Sequence, residues 1–395
     1  MVSTNVASYV DAPAEFRRDL RSYLHDLDWV NEWRSASFDN AEDSLAFDAT
    51  VLRRLYDAGW SRYGWPVEAG GLGGNEIHRA VYYEELSHAM LTVPAQHWTL
   101  EVLGPALLKF APELAAQYLP GYLSGAEWWS QCFSEPESGS DLATLRTRAV
   151  DDGTGTLIVN GQKIWNSQAP TAARLLVLVR TGDADSRHRG LSMILVDADT
   201  PGVTIRPIAL ASGRRELGEV FFDDVRVAAD RVVGGIGNGW GVTMYLMQFE
   251  RGMYGYAALT KAFTQLSRLR ADMAERGSSA GHRERFARTY VALVAAAARC
   301  SLSVRKLAEG GTLGPESSVD KLLFATAERD LNDLIVDVQR ARILGGGDAS
   351  EHNEIDTVRA EWWYSRAATI MGGSAEIQRG IIADHLLGLP KEVRR

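Results

Sequence analysis

The apolar positions of this chain change their period twice. Up to about residue 128 they recur every three to four positions. Phe16, Leu20, Leu24 and Leu27 form one stripe, and Val51, Leu55 and Ala58 form another; this spacing puts each set on one face of a helix. The second stripe stops at Gly59. Residues 70–74 then hold four glycines in five positions, which weakens either regular structure and predicts a loop. Helical periodicity returns over 77–108, with breaks expected at Pro94 and near Pro105.

Between about 129 and 235 the pattern becomes that of strands. Segments 156–164, 174–181, 190–197, 203–207 and 219–227 are short, mostly rich in Val, Ile, Leu or Phe, and divided by Gly, Asp and Pro. They predict a small β-sandwich or barrel-like domain. Long helices are absent from this stretch, which excludes a dinucleotide-binding α/β fold. From Gly241 onward the helical period resumes, with long Ala- and Leu-rich runs at 285–309 and 317–344. Such runs joined by short loops predict a four-helix bundle. The fold class is therefore α+β multidomain: an N-terminal α-helical domain (1–128), a middle β-domain (129–235) and a C-terminal helical bundle (236–395).

Composition narrows the function. Of 395 residues, 46% are hydrophobic and 24% charged, the balance of a globular chain. The net charge of −9, with no basic block, argues against a nucleic-acid partner. Two cysteines, Cys132 and Cys300, make neither a disulfide framework nor a four-cysteine zinc site, so no metal is expected and the compartment reads as reducing. The first residues lack a basic stretch leading into an apolar core, so no signal peptide is expected. No run of 18 apolar residues occurs, so no membrane span is expected. The expectation is a cytoplasmic enzyme.

Four segments can carry chemistry. Gln131-Cys-Phe-Ser-Glu-Pro-Glu-Ser-Gly-Ser-Asp141 offers Ser134, Ser138, Ser140 and several backbone N–H groups to a polar ring or phosphate; the alternative is a set of surface turns. In Gly161-Gln-Lys-Ile-Trp-Asn-Ser167, Trp165 can stack on an aromatic ligand while Ser167 bonds its edge; the alternative is a core tryptophan. Glu250 lies in an apolar, aromatic stretch with Tyr245, Phe249 and Tyr254, where desolvation suits a general base; the alternative is an ion pair with Arg251. Gly372-Gly-Ser374 precedes a helix expected over 377–387, and such a helix start binds an anion or carbonyl oxygen through free N–H groups. The alternative there is Ser374 as a plain helix cap.

Taken in order, FSEPESGSD (133–141), GQKIW (161–165), HRGLSMILVD (188–197), FFDDVRVAADRVVG (221–234) and GGSAEIQR (372–379) resemble the acyl-CoA dehydrogenase family over nearly the full chain. The resemblance implies FAD-dependent α,β-desaturation of an acyl-CoA thioester. A carboxylate takes the α-proton, the β-hydrogen leaves as hydride to flavin N5, and the enolate-like thioester oxygen is stabilised by a backbone N–H. By position, Ser134 matches a hydroxyl at the flavin's pyrimidine side, Trp165 the residue flanking the ring, and Ser167 the hydroxyl at N5. Gln131, Phe133, Ser140, Asn166, Gly373, Ser374 and Glu376 join them as cofactor contacts. Ser140 and Arg251 fall on the acyl-CoA side.

The departures sharpen this reading. Many members carry the base in a Tyr-Glu-Gly triplet, which here reads Met371-Gly372-Gly373. A minority place it in a Glu-Arg pair on an earlier helix, matched by Glu250-Arg251. Glu250 is then the base, and Gly372 contributes its N–H. The Arg-x-x-Phe-Gly motif that reaches a neighbouring subunit's FAD is missing from 276–285, and a later glycine motif is degraded at 343–347. This resembles the catalytic chain of the actinobacterial α2β2 sterol side-chain acyl-CoA dehydrogenases, with a paralogous subunit as partner. A homo-oligomer is the alternative. A bulky steroid-type or branched acyl-CoA is the expected substrate, and an electron-transfer flavoprotein is the expected acceptor. Other readings are a non-catalytic partner subunit, an acyl-CoA oxidase or flavin monooxygenase, or a binding protein on the same fold.

Overall fold

The computed structural model describes residues 13–25, 27–36, 38, 41–346 and 352–390. The start of the chain and Gly347 of the degraded glycine motif lie outside them. In chain order the helices α1 (Ala14–His25), α2 (Asp28–Ser35), α3 (Ala41–Asp57), α4 (Glu76–His88), α5 (Gln96–Phe110) and α6 (Pro112–Leu123) come first. Strands β1 (Trp129–Cys132), β2 (Arg148–Asp151), β3 (Thr156–Ser167), β4 (Arg174–Arg180), β5 (Leu191–Asp197), β6 (Val203–Ile208), β7 (Leu217–Ala228) and β8 (Val232–Val233) follow. Helices α7 (Gly239–Phe249), α8 (Gly255–Arg276), α9 (Ala280–Ala308), α10 (Ser317–Val338), α11 (Arg340–Gly345), α12 (His352–Ala367) and α13 (Ala375–Ile381) complete the chain. Contacts group it into two compact units, one of residues 41–73 and 94–249, the other of residues 1–40, 74–93 and 250–395.

The first of these units is built on one eight-stranded sheet of order β6-β7-β3-β2-β4-β5-β8, with β1 parallel to β4. The sandwich- or barrel-like pattern in the sequence is thus one continuous hydrogen-bonded sheet. Strand β4 (RLLVLVR) is buried along nearly its whole length, as its unbroken apolar run requires. By contrast β3 alternates half-buried and buried positions over residues 156–159, the signature of a strand with one face more covered than the other. Cys132, Val159, Val177, Val179, Val196 and Val220 meet in the core behind the sheet. The expected break near Pro105 does not occur: α5 runs through it from Gln96 to Phe110 with most of its residues buried. An interior proline costs about 3 kcal/mol, and the burial of most residues from Gln96 to Leu107 offsets that. The 70–74 loop is as expected; a Cβ on Gly71 would lie 2.0 Å from Trp65 O.

The second unit is the helical bundle. Leu293, Ala296, Ala297, Cys300 and Val304 form the inner stripe of α9, and Phe324, Ala327, Leu331 and Leu334 that of α10; α10 packs against α8, α9 and α12. Helix α1 docks by charge: Arg21 Nε and Arg17 Nη1 donate to the buried Glu85 carboxylate at 2.8 and 2.9 Å. The helix expected over 377–387 is α13 followed by a π-helical turn at Ile382–Leu386. A second π-turn, Glu250–Tyr254, immediately precedes α8. Among the described residues no helix is long and apolar enough to cross a membrane.

Candidate active site

In the bundle unit the π-turn brings Glu250 against the double-glycine turn. Such one-turn expansions disturb the helical ladder and often accompany functional sites. A Cβ built on Gly372 would lie 2.1 Å from Glu250 Oε1, and Gly372 holds φ +65°. The carboxylate therefore fills the volume that any side chain at 372 would need. The residue as a whole is partly exposed, yet Glu250 Oε2 is sealed from solvent and has no hydrogen-bond partner. That is a costly state for a carboxylate. Burial pushes its carboxyl above the ordinary range, with the charges of Lys321 and Arg251 opposing. Arg251 Nε is likewise buried without a partner.

The turn is pinned from two sides. Lys321 Nζ donates to Ala368 O at 2.9 Å, and the fully buried Gln378 donates from Nε2 to Gly372 O and Gly373 O at 3.2 and 3.3 Å. Gly373 has φ +89°, and a Cβ there would lie 2.4 Å from Gln378 Nε2. Ser374 caps α13 by accepting from Ile377 N at 3.3 Å, and the exposed Glu376 pairs with Arg379.

In the sheet unit the second group of candidates gathers on β1, β3 and the loop between β1 and β2. The β3–β7 register shifts between Lys163 and Asn166, and at this bulge Trp165 holds φ +63°. A left-handed backbone is a real outlier for a bulky residue. The residue is 56% exposed, so it is a platform and not a core tryptophan. Ile164 N donates to Ser134 O at 2.9 Å, which sets Ser134 beside that platform. Asn166 is buried; Nδ2 donates to Gly218 O at 3.0 Å, while Oδ1 has no partner. Ser167 O accepts from Ser130 Oγ at 2.6 Å. Gln131 is half-buried in the β1–β4 ladder, Phe133 is buried and Ser140 is exposed.

Behind this platform lies a satisfied ionic network. The buried Lys163 donates from Nζ to Phe133 O (3.0 Å) and Glu135 Oε1 (2.8 Å). Glu135 also accepts from Arg146 N and Thr147 N at 2.6 and 2.9 Å. Burial pushes Glu135 up, but Lys163 and these donors outweigh it and hold it below the ordinary range. Burial brings Lys163 down to about 8 against the pull of Glu135. Arg180 donates to Leu145 O, Ala143 O, Asp183 O and Arg187 O at 2.7–3.2 Å, holding the loop that ends in Leu145.

Lys321, Gln378, Glu135, Lys163 and Arg180 were not among the sequence candidates. Gln378 lies inside the quoted 372–379 segment, and Lys321 interrupts an apolar helix stripe three residues before Phe324. A charge on a core-facing stripe was the available signal.

Three domain families match in chain order: Acyl-CoA dehydrogenase, N-terminal domain over residues 8–126; middle domain over 130–225; and C-terminal domain over 237–387. The Acyl-CoA dehydrogenase IpdE1 of Mycobacterium tuberculosis is 40% identical over 352 residues, spanning 87% of this chain and 88% of that protein. Among solved structures, the Tcur3481-Tcur3483 steroid ACAD is similar with a TM-score of 0.79 at 26% identity, covering 97% of this chain and 99% of that one. The ChsE4-ChsE5 complex from Mycobacterium tuberculosis matches with a TM-score of 0.75 at 25% identity, covering 97% and 100%.

Proposed function

This chain belongs to the acyl-CoA dehydrogenase family, oxidoreductases that are FAD flavoproteins, and on that premise we propose that it desaturates an acyl-CoA thioester between its α and β carbons with Glu250 as the base. The observation that carries the assignment is the Glu250 carboxylate, desolvated, unpaired at Oε2 and seated where a side chain at 372 would be. Such a group gains by taking a proton, which is what removal of a weakly acidic α-proton asks of it. Gly372 offers its N–H to the thioester oxygen as charge develops there. Arg251 and Ser140 serve the acyl-CoA.

The sheet unit fits FAD. Trp165 presents an exposed aromatic face from a strained backbone, and Asn166 Oδ1 awaits a donor. Ser134, Ser167, Gln131 and Phe133 lie on the same strands and loop. Within the bundle unit, Gly373, Ser374 and Glu376 are separate candidate cofactor contacts. When bound, FAD supplies the acceptor for the hydrogen that leaves the β-carbon as hydride. The chain's own part is to keep a flat aromatic surface in place and water out.

The decisive test is Glu250→Gln, which keeps shape and removes the charge. Turnover should fall at least about a hundredfold with bound flavin and melting temperature unchanged. Near-normal turnover would remove Glu250 from the mechanism.

The partner and substrate follow from what the site lacks. Residues 276–285 carry no Arg-x-x-Phe-Gly motif, and two similar structures are named as pairs of chains. We therefore assign the chain to an α2β2 heteromer with a paralogous subunit, passing electrons to an electron-transfer flavoprotein in the cytoplasm. Visible flavin absorbance per chain should be low for this chain alone and restored with its partner; full occupancy alone would refute the shared site. The side-chain-free Gly372 and the steroid ACAD likeness support a bulky, steroid-type acyl group. Faster turnover on straight-chain than on polycyclic acyl-CoA would rule that out.

A further inference from the structure

Lys321 is 4% exposed on α10, where an ammonium is expensive unless it has work or partners. One of its three donors goes to Ala368 O at 2.9 Å, and the ammonium stands over the Phe324 ring at 4.8 Å. The point where a Gly372 Cβ would sit is 2.1 Å from Glu250 Oε1 and 3.6 Å from Lys321 Cε. Ammonium and carboxylate thus flank the same turn without closing a direct ion pair. Two helical turns along α10, on the same face, comes Glu328, a second carboxyl raised by burial and opposed by Lys261 and Lys321. Beyond it Lys261 donates to Glu361 at 2.6 Å. Through the bundle the signs alternate: Glu250, Lys321, Glu328, Lys261, Glu361.

The groups that face Glu250 are few. Its own turn provides Arg251 and Tyr254, and α10 provides Lys321. Helix α9 meets the turn through the uncharged Leu307, and the double-glycine turn carries no titratable side chain there.

We propose that Lys321 is the positioning residue of the base: resting on the assignment of Glu250 as base, its buried ammonium keeps that carboxylate charged between turnovers, and Glu328 on the far side limits how strongly it does so. Two carboxyls raised by desolvation are both opposed by one cation, so removing the cation and removing the second carboxylate act on Glu250 in opposite directions. A residue that merely filled space would move neither.

The test is the acid limb of kcat/KM against pH in the flavin-loaded assembly, which reports the base of the free enzyme. Lys321→Met should move that limb upward by about one pH unit or more, because a favourable charge is lost. Glu328→Gln should move it downward by a smaller amount, as Lys321 then acts on Glu250 alone. Lys321→Arg should return it most of the way to wild type. Independently of activity, the infrared band of the protonated carboxyl, assigned by its loss in Glu250→Gln, should titrate with the same shifts. Shifts of the same sign in Lys321→Met and Glu328→Gln, or none, overturn the inference. Should Lys321→Met not fold, Glu328→Gln decides alone, and an upward or absent shift counts against it. The two readings separate cleanly: an active Glu250→Gln sinks the base itself, whereas an inactive Glu250→Gln with an unmoved acid limb sinks only Lys321.

Discussion

The two units hold their candidate residues in opposite ways. In the sheet unit, polar groups behind the platform are nearly all satisfied: Lys163 and Glu135 pair at 2.8 Å, and two backbone N–H groups complete the carboxylate. Strain sits in the backbone instead: Trp165 holds a left-handed φ, as do Gln168, Arg187 and Asp224 elsewhere in the unit. In the bundle unit the backbone turn is made of glycines that tolerate positive φ, and the cost sits in the side chains. Glu250 Oε2 and Arg251 Nε are buried without partners, and Lys321 has a carbonyl where an ion pair would be cheaper. A satisfied network fixes a surface for a rigid ring. An unsatisfied one keeps a carboxylate ready to change its protonation state.

The sharpest way to break this contrast is Gly372→Ala. The new methyl would lie 2.1 Å from Glu250 Oε1 on a backbone of φ +65°, so the carboxylate must leave its seat. Turnover should fall by about the contribution of a general base, a hundredfold or more, with a stability loss of about 1–3 kcal/mol from strain. Unchanged kinetics would mean that the seat at 372 is not where the base works.

Lys163→Met tests the other half. It strips the counter-charge from the buried Glu135, and breaking such a pair costs about 3–5 kcal/mol. Denaturant unfolding should show this loss, and adding Glu135→Gln should restore part of it. Lys321→Met should cost clearly less, because no closed ion pair is broken there. Equal losses in the two lysine variants would erase the distinction between the units.

How much of this was legible depends on whether the relevant neighbours are contiguous in the chain. Five strands were readable because each carries an apolar run long enough to show a period; β1 and β2, with four residues each, and β8, with two, are too short to show one. The break expected at Pro105 failed because tertiary burial of α5 overrides the proline's local penalty. Trp165, Ser134 and Gly372 could be named as candidates because their segments are self-contained turns or bulges. Lys321 and Glu328 acquire meaning only once α10 is laid beside the π-turn of Glu250, and no spacing along the sequence encodes that approach.

The smallest effect is the most discriminating for the sheet unit. Trp165→Gly removes a half-exposed ring, so little buried surface is lost, and it relieves a left-handed backbone costing about 1–3 kcal/mol in a non-glycine residue. The variant should melt no lower than wild type, and up to a few degrees higher, while losing flavin on dilution. Trp165→Phe keeps an aromatic face and the strain, so it should retain most of the flavin and gain no stability. A marked fall in melting temperature for Trp165→Gly would show instead that the ring packs as part of the fold, and the unit's economy of strain would then have to be explained without a ligand.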